Sequence, residues 1–595
     1  MKDFLKTTLA VIVGIFVASI LASAVFFSCV GSLASMSSET VIPRSGVLKM
    51  DMSKITLTER STDQTMSLLS GGSSTPVSLW NAVQAINAAA ADPGVKFIYL
   101  KPDGVSAGIS QLEELRTSLV NFRKSGKAIV SYVENPTTAS YYLASAADKV
   151  YMLSNCGASP MILGVGSQMI FLKDLLDKLG VNVQLIRHGK YKSAGEMYVR
   201  NSPSAENLEQ NVEMINSIWT SLASAIEESR GITVERFSEM IDNLELNNAQ
   251  DMLENNLVDE LLDKEGMRER ITSLGLYNSF SEVSMIPFES YVSAKVPADI
   301  PSGKKQIAIV YASGDIQEGD ANDNSNIYGD AYARLLADIR NNPDIKAVVL
   351  RVASPGGSVL ASDKIKTEID MLREVKPVVA SYGAYAASGG YWISNSCDRI
   401  FTDNTTLTGS IGCFSMIPDL SKTAKDLLHV GVTTVGSSKH SGMYSMMSPL
   451  SPAETAYMQK SIEEIYTAFV NTVALGRNLE PDFVDSIAQG RVWTGADAIK
   501  LGLADEKGTL EDAVRYAAAL VSDGDADLGT WSVNEYPRPA SVFEMLMAAF
   551  GNAAGNSNDV LAGTPFESVG KAFRNWSYET GEHNFARMEY EIVLK

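Results

Sequence analysis

Two apolar patterns alternate along this chain. Short β-branched runs read as buried strands, and longer stretches with apolar residues at three- and four-residue spacing read as helices. The alternation occurs twice. GVLKMDM (46–52) is answered by KQIAIVYASG (305–314), and VKFIYLKPDGVSAG (95–108) by IKAVVLRVASPGGS (345–358). KAIVSYVENPTTASYYLASAADKVY (127–151) is answered by KPVVASYGAYAASGGYWISNSCDRIF (376–401), and LENNLVDELLDKEG (253–266) by IKLGLADEKGTLED (499–512). A period of about 250 residues far exceeds that of solenoid repeats, so the chain contains two copies of one domain. Strands alternating with helices predict an α/β fold, with parallel sheets and crossover helices in each copy. Residues 205–229 and 452–475 predict a long helix in each, with Met, Ile and Leu stripes facing the core.

A different pattern precedes the repeats. Residues 9–30 (LAVIVGIFVASILASAVFFSCV) carry no charge and match the roughly 20 residues a bilayer core demands. Lys2 and Lys6 precede them, which keeps the N-terminus in the cytoplasm and exports the rest. Ala22-Ser23-Ala24 would suit a signal-peptide cleavage site. The apolar run continues past it through Val25-Phe26-Phe27, so an uncleaved transmembrane anchor is expected. The expected layout is therefore an anchor over 1–30, a tether over 31–44, and a first repeat over 45–295. A linker over 296–304 (VPADIPSGK), a second repeat over 305–522 and a tail over 523–595 follow, the tail with a helix at 542–550.

Composition narrows the function. The 595 residues carry a net charge of −20, which argues against nucleic acid or an anionic lipid surface as the main partner. The four cysteines (Cys29, Cys156, Cys397, Cys413) have no metal-type spacing and do not suggest a disulfide framework. The four histidines are scattered, so metal catalysis has little support and no cofactor is expected.

Candidate chemistry centres on SYGAYAASGGY (381–391). The apolar run VKPVVA (375–380) predicts a strand; small residues follow, then helix-like spacing in YWISNSCDRI. Ser388 would then open a helix, where backbone N–H groups favour developing negative charge, and Gly389-Gly390 would admit a substrate backbone. Alone, the motif is equally a serine N-cap with packing glycines. Ser354-Pro355-Gly356-Gly357-Ser358 ends the strand KAVVLRV, at the sheet edge where such folds bind ligands. Consecutive glycines there could present N–H groups as an oxyanion hole, although a Pro-Gly turn has the same composition. A serine nucleophile needs a base. His188, Lys190 and Lys192 lie together in RHGKYKSAGE, and a lysine serves only if burial brings its pKa down from about 10.4.

Tyr191-Lys192-Ser193-Ala194, Ser354-Pro355-Gly356-Gly357 and Ala386-Ala387-Ser388-Gly389-Gly390-Tyr391 occur in that order. With the duplicated core and the apolar N-terminus, they make the chain resemble the long, two-repeat form of the signal peptide peptidase A family, within the ClpP/crotonase superfamily. The resemblance covers nearly the whole chain and weakens after about residue 520. It implies two tandem ClpP/crotonase-like domains and a serine endopeptidase using a Ser/Lys dyad. Ser388 would be the nucleophile and Lys192 the general base, preferred over Lys190 because it occupies the aromatic-Lys-Ser-Ala position. Gly356 or Gly357, with Gly389, would form the oxyanion hole. It further implies cleaved signal peptides as substrates, a bacterial inner-membrane location with the catalytic part on the periplasmic side, and a homotetramer.

The repeats, compared with each other, carry the reading further. Opposite Ser388 the first copy has Thr138, and opposite Gly356-Gly357 it has Ser106-Ala107. Opposite Lys192 the second copy reads roughly Ser441-Gly442-Met443. Each copy lacks what the other supplies, so one complete site requires the halves to meet, within a chain or between subunits. Two alternatives are a crotonase-like acyl-CoA enzyme, which needs carboxylates paired with SPGGS, and a non-catalytic membrane-anchored scaffold, which predicts loss of Ser388 or Lys192, whereas both are present.

Overall fold

The computed structural model describes residues 41–61, 74–155, 157–296, 305–321, 326–538, 585–588 and 593–594. The expected anchor, residues 31–40 of the tether, residues 297–304 of the linker, and the tail helix at 542–550 lie outside them. Among the described residues no helix is long and apolar enough to cross a membrane.

Each repeat is built on a parallel sheet. In the first, the order is Met285–Pro287, Gly46–Asp51, Val95–Lys101, Ile129–Val133, Lys149–Leu153, Glu260–Leu262, with every pairing parallel. The strands have few exposed positions because helices cover them, which is why they read as continuous apolar runs rather than alternations. In the second repeat, Val378–Ala387, Ile345–Ser354 and Gln306–Ser313 form the centre of an eight-stranded sheet. That sheet ends on Ser532–Tyr536, which pairs in parallel with Gln306–Ser313, so the region after 522 contributes a strand the apolar pattern did not foretell.

The duplication extends to individual hydrogen bonds. Arg123 pairs with Asp148 in one copy and Arg373 with Asp398 in the other, and each aspartate accepts a strand amide, from Ile129 or Val378, at 2.8 Å. Arg230–Asp259 and Arg477–Asp505 repeat in the same way. The two long helices, Ala205–Arg230 and Pro452–Arg477, are both 26 residues long and start at serine N-caps, Ser204 and Ser451. These side chains satisfy terminal amides that the helix itself leaves unpaired.

The repeats are locked by charge as well as by packing. Arg351, fully buried, reaches the carboxylates of Glu59 and Glu114 at 2.5 and 2.6 Å and the Ser381 hydroxyl at 2.9 Å. Glu113, beside Glu114, accepts the Thr405 amide and hydroxyl of the second repeat. A third, mixed sheet then crosses the boundary. Its order is Ile327–Tyr328, Ile316–Gln317, Gly356–Ser358, Phe585–Arg587, Cys413–Asp419, Asn182–His188. The last pair is antiparallel from Cys413↔His188 to Asp419↔Asn182, so the strand leading to Lys192 is held by the second repeat.

Candidate active site

The strand Val378–Ala387 is longer than the six-residue apolar run suggests. Its small residues pair with Ile345–Ser354 on one side and with Arg399–Thr402, then Leu407–Gly409, on the other. The helix that follows is short, Gly389–Ser394, and Ser388 joins the two with φ +54° and ψ −113°. That backbone is costly for a residue with a Cβ, of order 1–3 kcal/mol. It is held by the Ser388 amide donating to Gly409 O at 2.8 Å and the Trp392 amide donating to Ser388 O at 2.7 Å. Ser388 is fully buried.

Lys192 is 1% exposed, and its Nζ lies 2.8 Å from Ser388 Oγ. Ser410 supplies two more oxygens to the amine, its hydroxyl at 3.1 Å and its carbonyl at 3.2 Å. The lysine is placed by a tight loop: Tyr191 N donates to Gln489 O, Lys192 N to Gly189 O, and Gln210 Nε2 to Tyr191 O. Arg187 donates to the Lys192 carbonyl and pairs with buried Glu196. Burial pushes the Glu196 carboxyl up, but donors from Ser204 and Asn207 and the Arg187 charge hold it below the usual range. Gly490 packs on this loop so closely that a Cβ there would meet the Lys192 backbone and Cβ. Burial pushes the nearby Cys413 thiol up to about 12 against the opposing influence of Lys192, so it stays protonated. The other candidates are elsewhere: Lys190 is exposed over the Tyr191 ring, and His188 stacks on Tyr466 at 3.9 Å. Lys192 and Ser388 come from different repeats of one chain.

Gly356 and Gly357 sit beside the serine in the strand Gly356–Ser358, at φ +105° and +159°. A Cβ on Gly357 would collide with the Ile316 carbonyl, and one on Gly356 would crowd Gly389 N at 2.7 Å. The Gly356 amide donates to Ser354 Oγ at 3.2 Å. Gly357 N and Gly389 lie together, 3.1 Å separating that nitrogen from a Cβ built on Gly389. A buried amine, a hydroxyl and two glycine backbones thus converge, a set able to move a proton and to stabilise an oxyanion.

Residues 121–274 and 370–522, one segment in each repeat, match peptidase family S49. "Protease 4" of Salmonella typhi is 35% identical over 520 residues, 84% of this chain and 82% of that protein. "Protease 4" of Haemophilus influenzae is 34% identical over 75% of this chain and 73% of its own length. The chain belongs to peptidase family S49. "Serine protease SPPA, chloroplastic" of Arabidopsis thaliana, at 32% identity over 80% of this chain and 70% of its own, agrees with a two-repeat serine protease.

In this S49 protease both dyad candidates fall inside the matched segments, whereas Gly356 and Gly357 lie outside them. Among the described residues the two repeats differ at the serine position. Tyr141 and Tyr391 donate their phenol hydroxyls to Leu257 O and Leu503 O, which aligns Thr138 with Ser388. Thr138 Oγ1 instead accepts the Leu163 and Gly164 amides at 3.1 Å, as a backbone brace. Sequence reasoning missed Ser410. The signal was the small-residue stretch Thr408-Gly409-Ser410-Ile411-Gly412, one of many such stretches until the fold sets it against Lys192.

Proposed function

We propose that this S49 serine protease cuts peptides with Ser388 as nucleophile and Lys192 as general base. The 2.8 Å approach of the Lys192 amine to the buried Ser388 hydroxyl carries the reading. Burial favours the neutral amine. A neutral amine can offer its lone pair to the Ser388 O–H while its two N–H groups donate to the Ser410 oxygens. Lys192 takes the proton as Ser388 Oγ attacks the scissile carbonyl, and the resulting oxyanion accepts from the Gly357 and Gly389 amides. Lys192 then protonates the departing amine, and water hydrolyses the acyl ester by the same proton route. No cofactor enters.

The substrates are cleaved signal peptides, and the enzyme works at the bacterial inner membrane with its site on the periplasmic side. Support comes from the uncharged run at 9–30, from Lys2 and Lys6 before it, and from the family resemblance. The two repeats are ClpP/crotonase-like domains, and the enzyme is a homotetramer. The exposed apolar side chains Leu428, Val430, Val432 and Val435 offer a surface for another copy.

The test is hydrolysis of an apolar fluorogenic peptide, with fluorophosphonate labelling in parallel. Ser388→Ala should lose both. Lys192→Met should lose roughly 10²–10⁴-fold in kcat, the usual worth of a positioned base. Labelling that survives Ser388→Ala would remove this serine from the reaction. Light scattering and membrane fractionation of the full chain check the tetramer and the anchor.

A further inference from the structure

The helix Ala205–Arg230 opens with three buried polar side chains, Asn207, Gln210 and Asn211, where an amphipathic helix should set apolar residues against the core. The duplicated helix Pro452–Arg477 starts from the matching serine cap and buries Met458 at the register of Asn211. At the register of Gln210 it has Tyr457, which is exposed. Docking the helix therefore does not call for a polar side chain at this position. A buried carboxamide is costly unless it is hydrogen-bonded, so its partners identify its use.

Gln210 is 1% exposed and reaches both halves of the site. Its Nε2 donates to the Tyr191 carbonyl at 3.0 Å and to Ser193 Oγ at 3.2 Å, the residues either side of Lys192. Its Oε1 accepts the Val492 amide at 3.2 Å, across 282 residues of chain. Val492 begins the strand Val492–Thr494 of the second repeat and is paired with Gly409. The Gly409 carbonyl accepts the Ser388 amide at 2.8 Å. One residue before Val492, the Arg491 carbonyl accepts the Ser410 amide at 2.7 Å, and Ser410 gives two oxygens to the Lys192 amine. One carboxamide thus joins the residues flanking Lys192 to the backbone that seats Ser388 and Ser410.

We infer that Gln210 is a positioning residue for the reaction: its side chain fixes the Lys192 loop against the Ser388 strand and so sets the amine–hydroxyl distance on which proton transfer depends. The inference rests on the Ser388–Lys192 reading above. Gln210 acts through Lys192, so its loss shows in kcat rather than in KM. A misplacement of about 1 Å between reacting groups costs up to roughly 100-fold in rate. The helix stays docked without this side chain, because other contacts hold it to the same elements. Tyr191 Oη donates to Glu209 at 2.9 Å, the Ser217 and Thr494 hydroxyls meet at 2.7 Å, and Arg491 pairs with Glu209 and Glu213.

The experiment measures kcat and KM on an apolar fluorogenic peptide, together with thermal melting. It compares the full native chain with Gln210→Met, Gln210→Glu, Lys192→Met and the double variant Gln210→Met/Lys192→Met. Gln210→Met keeps the length of the side chain and removes its hydrogen bonds. Its kcat should fall roughly 10- to 100-fold, with KM within about twofold of native. On the Lys192→Met background the same change should cost less than about twofold, because the base it positions is already gone. Gln210→Glu keeps the shape. Ionised, its carboxylate accepts from Val492 but has no proton to donate; protonated, it regains one donor for the Tyr191 carbonyl. Its kcat, taken as a ratio to the native enzyme at each pH, should therefore rise as pH falls. Native kcat in Gln210→Met, with Lys192→Met inactive, would overturn the inference. A further loss of about tenfold in the double variant would overturn it too, by making Gln210 structural only. If Gln210→Met does not melt cooperatively, Gln210→Glu decides, and a ratio that stays flat with pH overturns the inference. Activity retained in Lys192→Met would instead sink the reading of Lys192 as the base.

Discussion

Ser410→Ala isolates the support of the base from the base itself. The Lys192 amine has oxygens at 2.8, 3.1 and 3.2 Å, and the substitution removes only the one at 3.1 Å, the Ser410 hydroxyl. The Ser410 carbonyl at 3.2 Å and the tight loop around Lys192 remain, so the amine stays near Ser388 but is less restrained. One hydrogen bond of this kind is worth about 0.5–1.5 kcal/mol net. If it is lost mainly in the transition state, when the amine becomes an ammonium and needs its acceptors most, the cost is about 2–12-fold in kcat. That is well short of the roughly 10²–10⁴-fold expected for Lys192→Met. The assay is steady-state hydrolysis of an apolar fluorogenic peptide, with Ser410→Thr as the conservative control. Ser410→Thr keeps a hydroxyl and should recover most of kcat. A Ser410→Ala enzyme as inactive as Lys192→Met would refute this reasoning, because one lost hydrogen bond of about 0.5–1.5 kcal/mol cannot cost so much. Full activity would mean that the hydroxyl does not hold the amine.

Gly356→Ala should fold less stably and lose at least about 10²-fold in kcat, the scale of a displaced oxyanion donor, because φ +105° and the nearby Gly389 nitrogen leave no room for a methyl; kcat and thermal melting together check it. Burial pushes the Glu114 and Asp403 carboxyls up, with neighbouring acids adding to it and Arg351 opposing. Their folded pKa values lie above the unfolded ones, so the stability they contribute is full at acid pH and is lost as pH rises through the folded values. Asp403→Asn should therefore flatten the fall in melting temperature as pH rises above the ordinary carboxylate range, whereas Arg351→Met should destabilise by about 3–5 kcal/mol by stranding buried acidic groups. Cys413, buried and held protonated, should resist a thiol reagent at pH 8 in the native enzyme and react once it is unfolded.

The period of about 250 residues, the parallel-sheet architecture and the two long helices were legible in the chain alone, because they rest on local patterns of apolar residues and caps. Ala205–Arg230 and Pro452–Arg477 end within two residues of where their periodicity stops. Ser388 stood out through its small neighbours, and the missing partner in each repeat indicated that the halves must meet. Pairing Ser388 with Lys192 needed the family resemblance, since 196 residues separate them. Ser410, the placement of Gly490 on the lysine loop and the seat of residues 585–588 could not be read at all. Local sequence determined which elements form, because hydrogen bonding and side-chain periodicity act over a few residues. Which backbone lies against which was decided by the fold alone: by the antiparallel pairing of Asn182–His188 with Cys413–Asp419, and by the buried ion pairs of Arg351. A catalytic distance is set by such long-range packing, and no periodicity along the chain encodes it.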